Sequence, residues 1–189
     1  NEWTESAGTA SGGTGSVIWP DSMTVDSAGD VLVGGMVIGD AAFGSHGSSS
    51  DIFGTGSPGQ IAFLAKADGS TGSWQWLTET GEYGGGGFSS VTGVATHNND
   101  IYVCGWFVGN TTFGTDQYRS TQDSRDIFVS KLNSNGQFQW TAVAGGTTED
   151  DYCEDIAVDS SGNVFATGSF NGSANFNSNS VTTSGKMDI

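Results

Sequence analysis

The chain has 189 residues, with 31 Gly, 2 Pro, and 5 Lys and Arg against 21 Asp and Glu, a formal net charge of −16. Five cations cannot neutralise a phosphate track, so a nucleic-acid binder is excluded, and the longest apolar stretch, Val31 to Ile38, is far below the roughly 20 residues of a membrane-spanning helix. Disorder is disfavoured as well, because 6 Trp, 11 Phe and 4 Tyr supply the material of a packed core.

The chain opens Asn1-Glu2-Trp3, without an initiator Met or a leader segment, as expected of a processed chain or a piece of a longer one. Glu2-Trp3-Thr4 matches Gln139-Trp140-Thr141 further on, so residues 1–8 read as the last strand of a repeat. The stretch Met23-Thr-Val-Asp-Ser-Ala-Gly-Asp-Val-Leu-Val-Gly-Gly35 reads as a strand, a polar turn and a second strand. It returns, without gaps, from Gly93 to Gly105 and from Ile156 to Gly168, and a Phe follows eight residues after each final Gly (43−35, 113−105, 176−168). A second block, Ile61-Ala-Phe-Leu-Ala-Lys66, matches Asp126-Ile-Phe-Val-Ser-Lys131 and begins again at Asp188-Ile189. A third, Ser73-Trp-Gln-Trp76, matches Gln137-Phe-Gln-Trp140, with one residue inserted ahead of it in the first copy.

Each repeat thus holds four strands, named a to d in order. The repeats occupy 21–80, 90–146 and 153–189, the last incomplete. Strands a and b are apolar on both faces, as sheets covered on both sides require. Strand d alternates, which places Phe138, Trp140, Ala142 and Ala144 together on one face. No stretch carries helical periodicity with caps. Four-stranded antiparallel sheets repeated along a chain are the blades of a β-propeller. The period is 70 residues from Phe43 to Phe113 and 63 from Phe113 to Phe176. That exceeds the roughly 40–50 residues of common blades, and the surplus predicts an extra hairpin between strands b and c. The fold expected is therefore all-β: a partial propeller in a single domain, 1–189, of about three blades.

The blocks Asp155-Ile-Ala-Val-Asp-Ser-Ser-Gly-Asn-Val-Phe-Ala-Thr-Gly-Ser-Phe170 and Asp126-Ile-Phe-Val-Ser-Lys-Leu-Asn-Ser-Asn-Gly-Gln-Phe-Gln-Trp140 resemble the bacterial β-propeller repeat family of large secreted and surface proteins. The resemblance runs through nearly the whole chain and is weakest in the first copy. It implies a propeller fold and an extracellular setting, and it implies no particular activity.

In a propeller the a–b and c–d turns open on one face and the b–c and d–a loops on the other. Length variation here falls on the second set, where a ligand is expected. Those loops include Gly81–Gly87, with Glu82 and Tyr83, and the acidic run Glu149, Asp150, Asp151, Glu154 and Asp155. The acidic run offers oxygen ligands of the kind calcium takes, but no calcium-loop motif is present. Its plainer reading is a solvated acidic surface, and paired carboxylates for acid–base chemistry are a third. Trp106 and Tyr83 do not recur between repeats and are the better candidates for ligand contact, whereas Trp3, Trp74, Trp76 and Trp140 recur and read as blade packing. His46 and His97 fall in different loop classes, which argues against a histidine site. Gly84–Gly87 lacks the Lys-Ser/Thr of a phosphate loop, and Asn110 and Asn171 head glycosylation acceptor motifs that matter only in a eukaryotic source.

No catalytic, cofactor-binding or metal-ligating residue is assigned from these patterns, and calcium is the one cofactor weighed. The reading preferred is a non-catalytic, acidic, secreted module for adhesion or for protein or glycan binding. The alternatives are a hydrolase or lyase with carboxylates at the channel mouth, and a purely structural repeat segment. Neither nucleic acid nor membrane insertion is expected. Cys104, late in strand b of the second repeat, and Cys153, ahead of strand a of the third, are expected close in space, with a disulfide or two buried thiols as the outcomes. Open sheet edges at both ends predict self-association, with a homodimer closing a six-bladed ring.

Overall fold

The computed structural model describes residues 4, 6–9, 16–49, 51–52, 57–83, 86–146, 149–176 and 179–182. Runs of β-branched and aromatic residues, punctuated by Gly, Asp and Asn, extend as antiparallel strands. After a short β1 (Ala7–Thr9), the first blade comprises β2 (Val17–Val25), β3 (Val31–Ile38), the hairpin β4 (Asp40–Phe43) and β5 (His46–Ser49), a small pair β6 (Asp51–Ile52) and β7 (Ser57–Pro58), then β8 (Gln60–Ala67) and β9 (Trp74–Glu79). A two-residue β10 (Gly81–Glu82) leads to the second blade: β11 (Phe88–His97), β12 (Asp100–Val108), the hairpin β13 (Asn110–Phe113) and β14 (Asp116–Arg119), β15 (Asp126–Leu132) and β16 (Phe138–Gly145). The third contributes β17 (Tyr152–Val158), β18 (Val164–Ser169) and the hairpin β19 (Ser173–Phe176) and β20 (Asn179–Thr182). A 3-10 turn at Thr121–Asp123 is the helical element among the described residues.

Strands a, b, c and d pair in sequence order within each complete blade, β2-β3-β8-β9 and β11-β12-β15-β16. The two sheets meet laterally at a single bridge, Phe88 against Gln60. The a strands stand side by side, β11 packing against both β2 and β17, which is the arrangement of propeller blades around an axis. The hydrophobic cores therefore lie between blades. One joins Leu32, Ala62 and Leu64 of the first blade to Val91, Val94, Ile101, Phe107, Phe113 and Phe128 of the second. Gly34 permits this approach, because a Cβ there would run into the side chains of Val91 and Val94.

The extra b–c hairpins are present in all three repeats, and each ties its blade to the end of the preceding strand d. Ala7 pairs with Phe43, Gly81 with Thr112, and Ala144 with Phe176. The marker Phe is thus the residue of the hairpin's first strand that turns inward: Phe43 and Phe113 are fully buried, and Phe113 meets the rings of Phe107, Tyr118, Phe128 and Phe138 at centroid distances of 4.7–5.9 Å.

Three sequence expectations need correction. The ungapped alignment of the second copy is one residue out of register in strand a. Met23 pairs with Val33, Val94 with Val103 and Ile156 with Ala166, so Val94 and not Gly93 is the equivalent of Met23. The cause is a tighter a–b turn in the second blade, where Thr96 pairs with Ile101 while Val25 pairs with Val31. With that shift, a β-bulge falls at the same place in every strand a, at Asp21, Thr92 and Glu154. Strand d also fails to alternate cleanly. A bulge between the partners of Lys131 and Leu132 puts Phe138 and Trp140 on opposite sides of the sheet, Phe138 against Phe113 and Trp140 against Tyr102. The same bulge separates Trp74, which meets Phe43 edge-on, from Trp76, which faces the second blade. Strand a of the first blade also begins at Val17, ahead of the boundary at 21 drawn from the repeat. Trp3 lies outside the described residues.

Candidate functional site

The short turns form one face. The a–b turn of the first blade meets its own c–d turn through Gly69 N–H, which donates to Asp30 Oδ1 at 3.0 Å, and meets the next a–b turn through Ser27 Oγ, which donates to the Asn98 carbonyl. The b–c hairpins and d–a segments form the other. His46 lies in the first set of hairpins and His97 at an a–b turn, so the structure does not bring them together.

In the acidic run on the hairpin face, Asp150 and Asp151 are built into the scaffold, whereas Glu149, Glu154 and Asp155 are exposed. Arg125, just ahead of β15, stacks 4.6 Å over the Trp106 ring and 5.3 Å over Tyr152, and its Nη1 donates to Asp150 Oδ2 at 2.6 Å and to the Tyr152 hydroxyl at 2.8 Å. Asp150 also accepts from Arg125 N–H, and these bonds hold its pKa below the ordinary carboxylate value against the opposing effect of burial. Asp151 is fully enclosed, with one oxygen accepting from Gly146 N–H at 2.7 Å and the other from Asn171 N–H at 2.9 Å. Asp155 Oδ1 caps Ile156 N–H. Asn171, one of the acceptor-motif residues, donates its amide to the Asp150 carbonyl. Trp106 therefore meets Arg125 across its ring face.

Asp126, at the start of β15, lies close to Asp151 beneath this network. Its Oδ2 accepts from Thr121 N–H and Oγ1, while Oδ1 is buried without a partner. Burial, reinforced by the Asp151 charge, pushes its pKa up to about 6 despite the Thr121 bonds. Glu82 on β10 is a second such position. Both its carboxylate oxygens are enclosed and unpaired, it stands opposite Thr111, and burial raises its pKa. Tyr83 beside it is half-buried; Gly84 and Gly85 lie outside the described residues. Among the described residues, no three His, Cys, Asp or Glu side chains gather as a metal cage.

Sequence reasoning missed the short-turn face. Between the first two blades lies a polar cavity of about 160 Å³, lined by Asp26, Lys66, Asn98, Asn99, Asp100 and Ser134 among others. Lys66 is buried at its wall with Nζ 2.7 Å from Asp26 and 3.0 Å from Asp30. Burial works against its charge, but the hydrogen bonds to the two carboxylates outweigh that and hold the pKa above the usual lysine value. The signal was in the repeat, since Lys66 and Lys131 occupy the same place in strand c and Lys131 pairs with Asp100 at 2.7 Å.

Cys104 and Cys153 form a disulfide, which joins strand b of the second blade to strand a of the third. Both half-cystines are buried in the core shared by those strands, with Tyr102, Ile127 and Ile156.

The blade architecture is that of a propeller, and comparison with known families agrees. Residues 139–177 match the family model of the beta-propeller repeat, a span running from strand d of the second blade through the first hairpin strand of the third. That span is thus similar to a β-propeller repeat, and the described elements are nearly all β-strands arranged as antiparallel sheets. No curated protein matches it.

Proposed function

We propose that this chain is a non-catalytic β-propeller module of an extracellular or cell-surface protein, serving adhesion or the binding of a protein or glycan. The observation that supports this most is the use of the acidic run. Asp150 and Asp151 spend their oxygens on Arg125 and on the backbone N–H groups of Arg125, Gly146 and Asn171, so they act as structural ties between blades. The hydrolase reading needs an accessible acid–base pair. Asp126 and Asp151, the pair with raised pKa values, are both buried away from solvent. The disulfide supports an oxidising compartment. A glycan array and a surface-protein panel, each run with and without added calcium, test this reading. A saturable hit supports it; turnover of an arrayed glycan would replace it with the hydrolase alternative.

Self-association belongs to the same proposal. Met23, Val94 and Ile156 occupy one register position in strand a, and their exposures are 65%, 6% and 5%. The second and third are covered by the blade before them, and the first has no such cover among the described residues. Trp19 and Val25 are exposed beside it. A second copy stacked on this face continues the interface the chain already makes twice internally. Two copies of about three blades make six, within the 4–8 of closed propellers, whereas three copies would exceed it. Light scattering on the eluting protein should give twice 19.4 kDa, and Met23→Glu should return the monomer. A monomer in the unsubstituted chain at micromolar concentration would refute it.

A further inference from the structure

We infer that the polar cavity between the short turns of the first two blades is a saccharide subsite, taking one neutral sugar ring of a glycan. This rests on the glycan-binding reading and deepens it, while placing the ligand on the face opposite the variable loops. The cavity lies between two blades whose four strands are each described, so it owes nothing to where the chain begins or ends. Its cause is local. Residues 26–30 separate the paired Val25 and Val31 in the first blade, whereas Asn98 and Asn99 alone separate the paired His97 and Asp100 in the second. The shorter turn stops short of its neighbour and leaves about 160 Å³ beside it.

The lining groups define the kind of ligand. Asp26 is spent, because Oδ1 accepts from the N–H groups of Ala28 and Asp30 and Oδ2 lies 2.7 Å from Lys66 Nζ. Lys66 also pairs with Asp30, and Asp100 Oδ2 pairs with Lys131. Three carboxylates thus face two ammonium groups, a balance that disfavours an anionic ligand, and among the described residues they form no metal cage. The groups left over can both donate and accept: the exposed amides of Asn98 and Asn99 and the hydroxyl of Ser27, with Asp100 Oδ1 as a further acceptor. Sugar hydroxyls match such a lining, because they reproduce the hydrogen bonds of the water they displace. Ile101, buried in the same wall, gives an apolar contact for the C–H face of the ring. The walls are held before a ligand arrives. Gly69 N–H donates to Asp30, Ser27 Oγ to the Asn98 carbonyl, and Trp76 Nε1–H to the Ser134 carbonyl.

The probes are the methyl pyranosides of glucose, galactose and mannose, with methyl glucuronide as the anionic control, titrated into the full 189-residue chain. Amide-shift and saturation-transfer NMR follow the binding. At least one neutral probe should bind saturably at millimolar concentration, with shifts centred on Ser27, Asn98, Asn99 and Ser134, and the glucuronide should bind more weakly. Asn98→Gly combined with Asn99→Ala keeps the turn, because Gly accepts the φ of 55° at residue 98. It should weaken binding roughly tenfold, the worth of one or two hydrogen bonds, with the thermal melt unchanged. A probe or arrayed glycan that binds with its shifts elsewhere, or that is indifferent to the double variant, would overturn the inference and leave the glycan reading standing. Binding of no saccharide, in solution or on the array, would overturn both.

Discussion

Replacing Cys104 and Cys153 together by alanine removes the covalent tie between the second and third blades. The half-cystines are 49 residues apart in sequence. Closing a loop of that length restrains the unfolded chain by roughly 4 kcal/mol in the chain-entropy account. Deleting two buried sulfur atoms adds roughly 1 kcal/mol for the space left behind. The sum is a large part of the roughly 5–15 kcal/mol that keeps a domain folded. The loss should not spread evenly. Repeat architectures sum the stability of each unit and its neighbour contacts, and in the described part of the third blade strands a and b pair only with each other. What remains to hold them is the core around Ile156, the bond from Thr92 Oγ1 to the Cys153 carbonyl, and the bonds of Arg125 to Asp150 and Tyr152 and of Gly146 to Asp151. Urea unfolding of the native, reduced and double-alanine proteins gives the free-energy difference, and hydrogen exchange over residues 152–169 reports where it falls. A change below about 1 kcal/mol, with exchange unaltered, would show that inter-blade packing alone fixes the third blade and would refute this reasoning.

Asp126→Asn should stabilise the protein at pH 7.5. Because burial raises the folded pKa to about 6 from an ordinary 3.8, the carboxyl holds its proton longer in the folded state, and stability falls as pH rises between those values. About two pH units correspond to at most roughly 3 kcal/mol; thermal melts from pH 4 to 7.5 should lose much of that slope in the variant, and a lower melting temperature at pH 7.5 would contradict the reasoning. Phe113→Ala, which empties the centre of a five-ring cluster, should cost roughly 3–5 kcal/mol in urea titration, and a loss under 1 kcal/mol would show that the hairpin marker is dispensable. Lys66→Met should cost roughly 3 kcal/mol, because it leaves Asp26 and Asp30 facing each other without their cation; full stability by the same titration would mean that those carboxylates are screened by solvent.

The architecture was legible because it rests on local patterns repeated three times. β-Branched runs, Asp and Asn turns and a Phe eight residues after a Gly each act over a few residues, and the repetition multiplies a weak signal into a firm one. Hence the four-stranded blades, the extra hairpins and the nearness of Cys104 to Cys153 could be read directly. Side-chain facing could not, because one bulged residue inverts the period of a strand. The tighter a–b turn of the second blade moved Gly93 out of its assigned register, and the bulge before Trp140 split Phe138 from Trp140. The acidic run illustrates the same division. Composition alone shows five carboxylates in seven residues, Glu149 to Asp155. Whether a carboxylate faces water or caps a backbone amide depends on what lies across from it, and for Asp151 those partners, Gly146 and Asn171, come from segments on either side of it in the chain. Only tertiary structure brings them together, because a hydrogen bond is decided by position in space and not by separation in sequence.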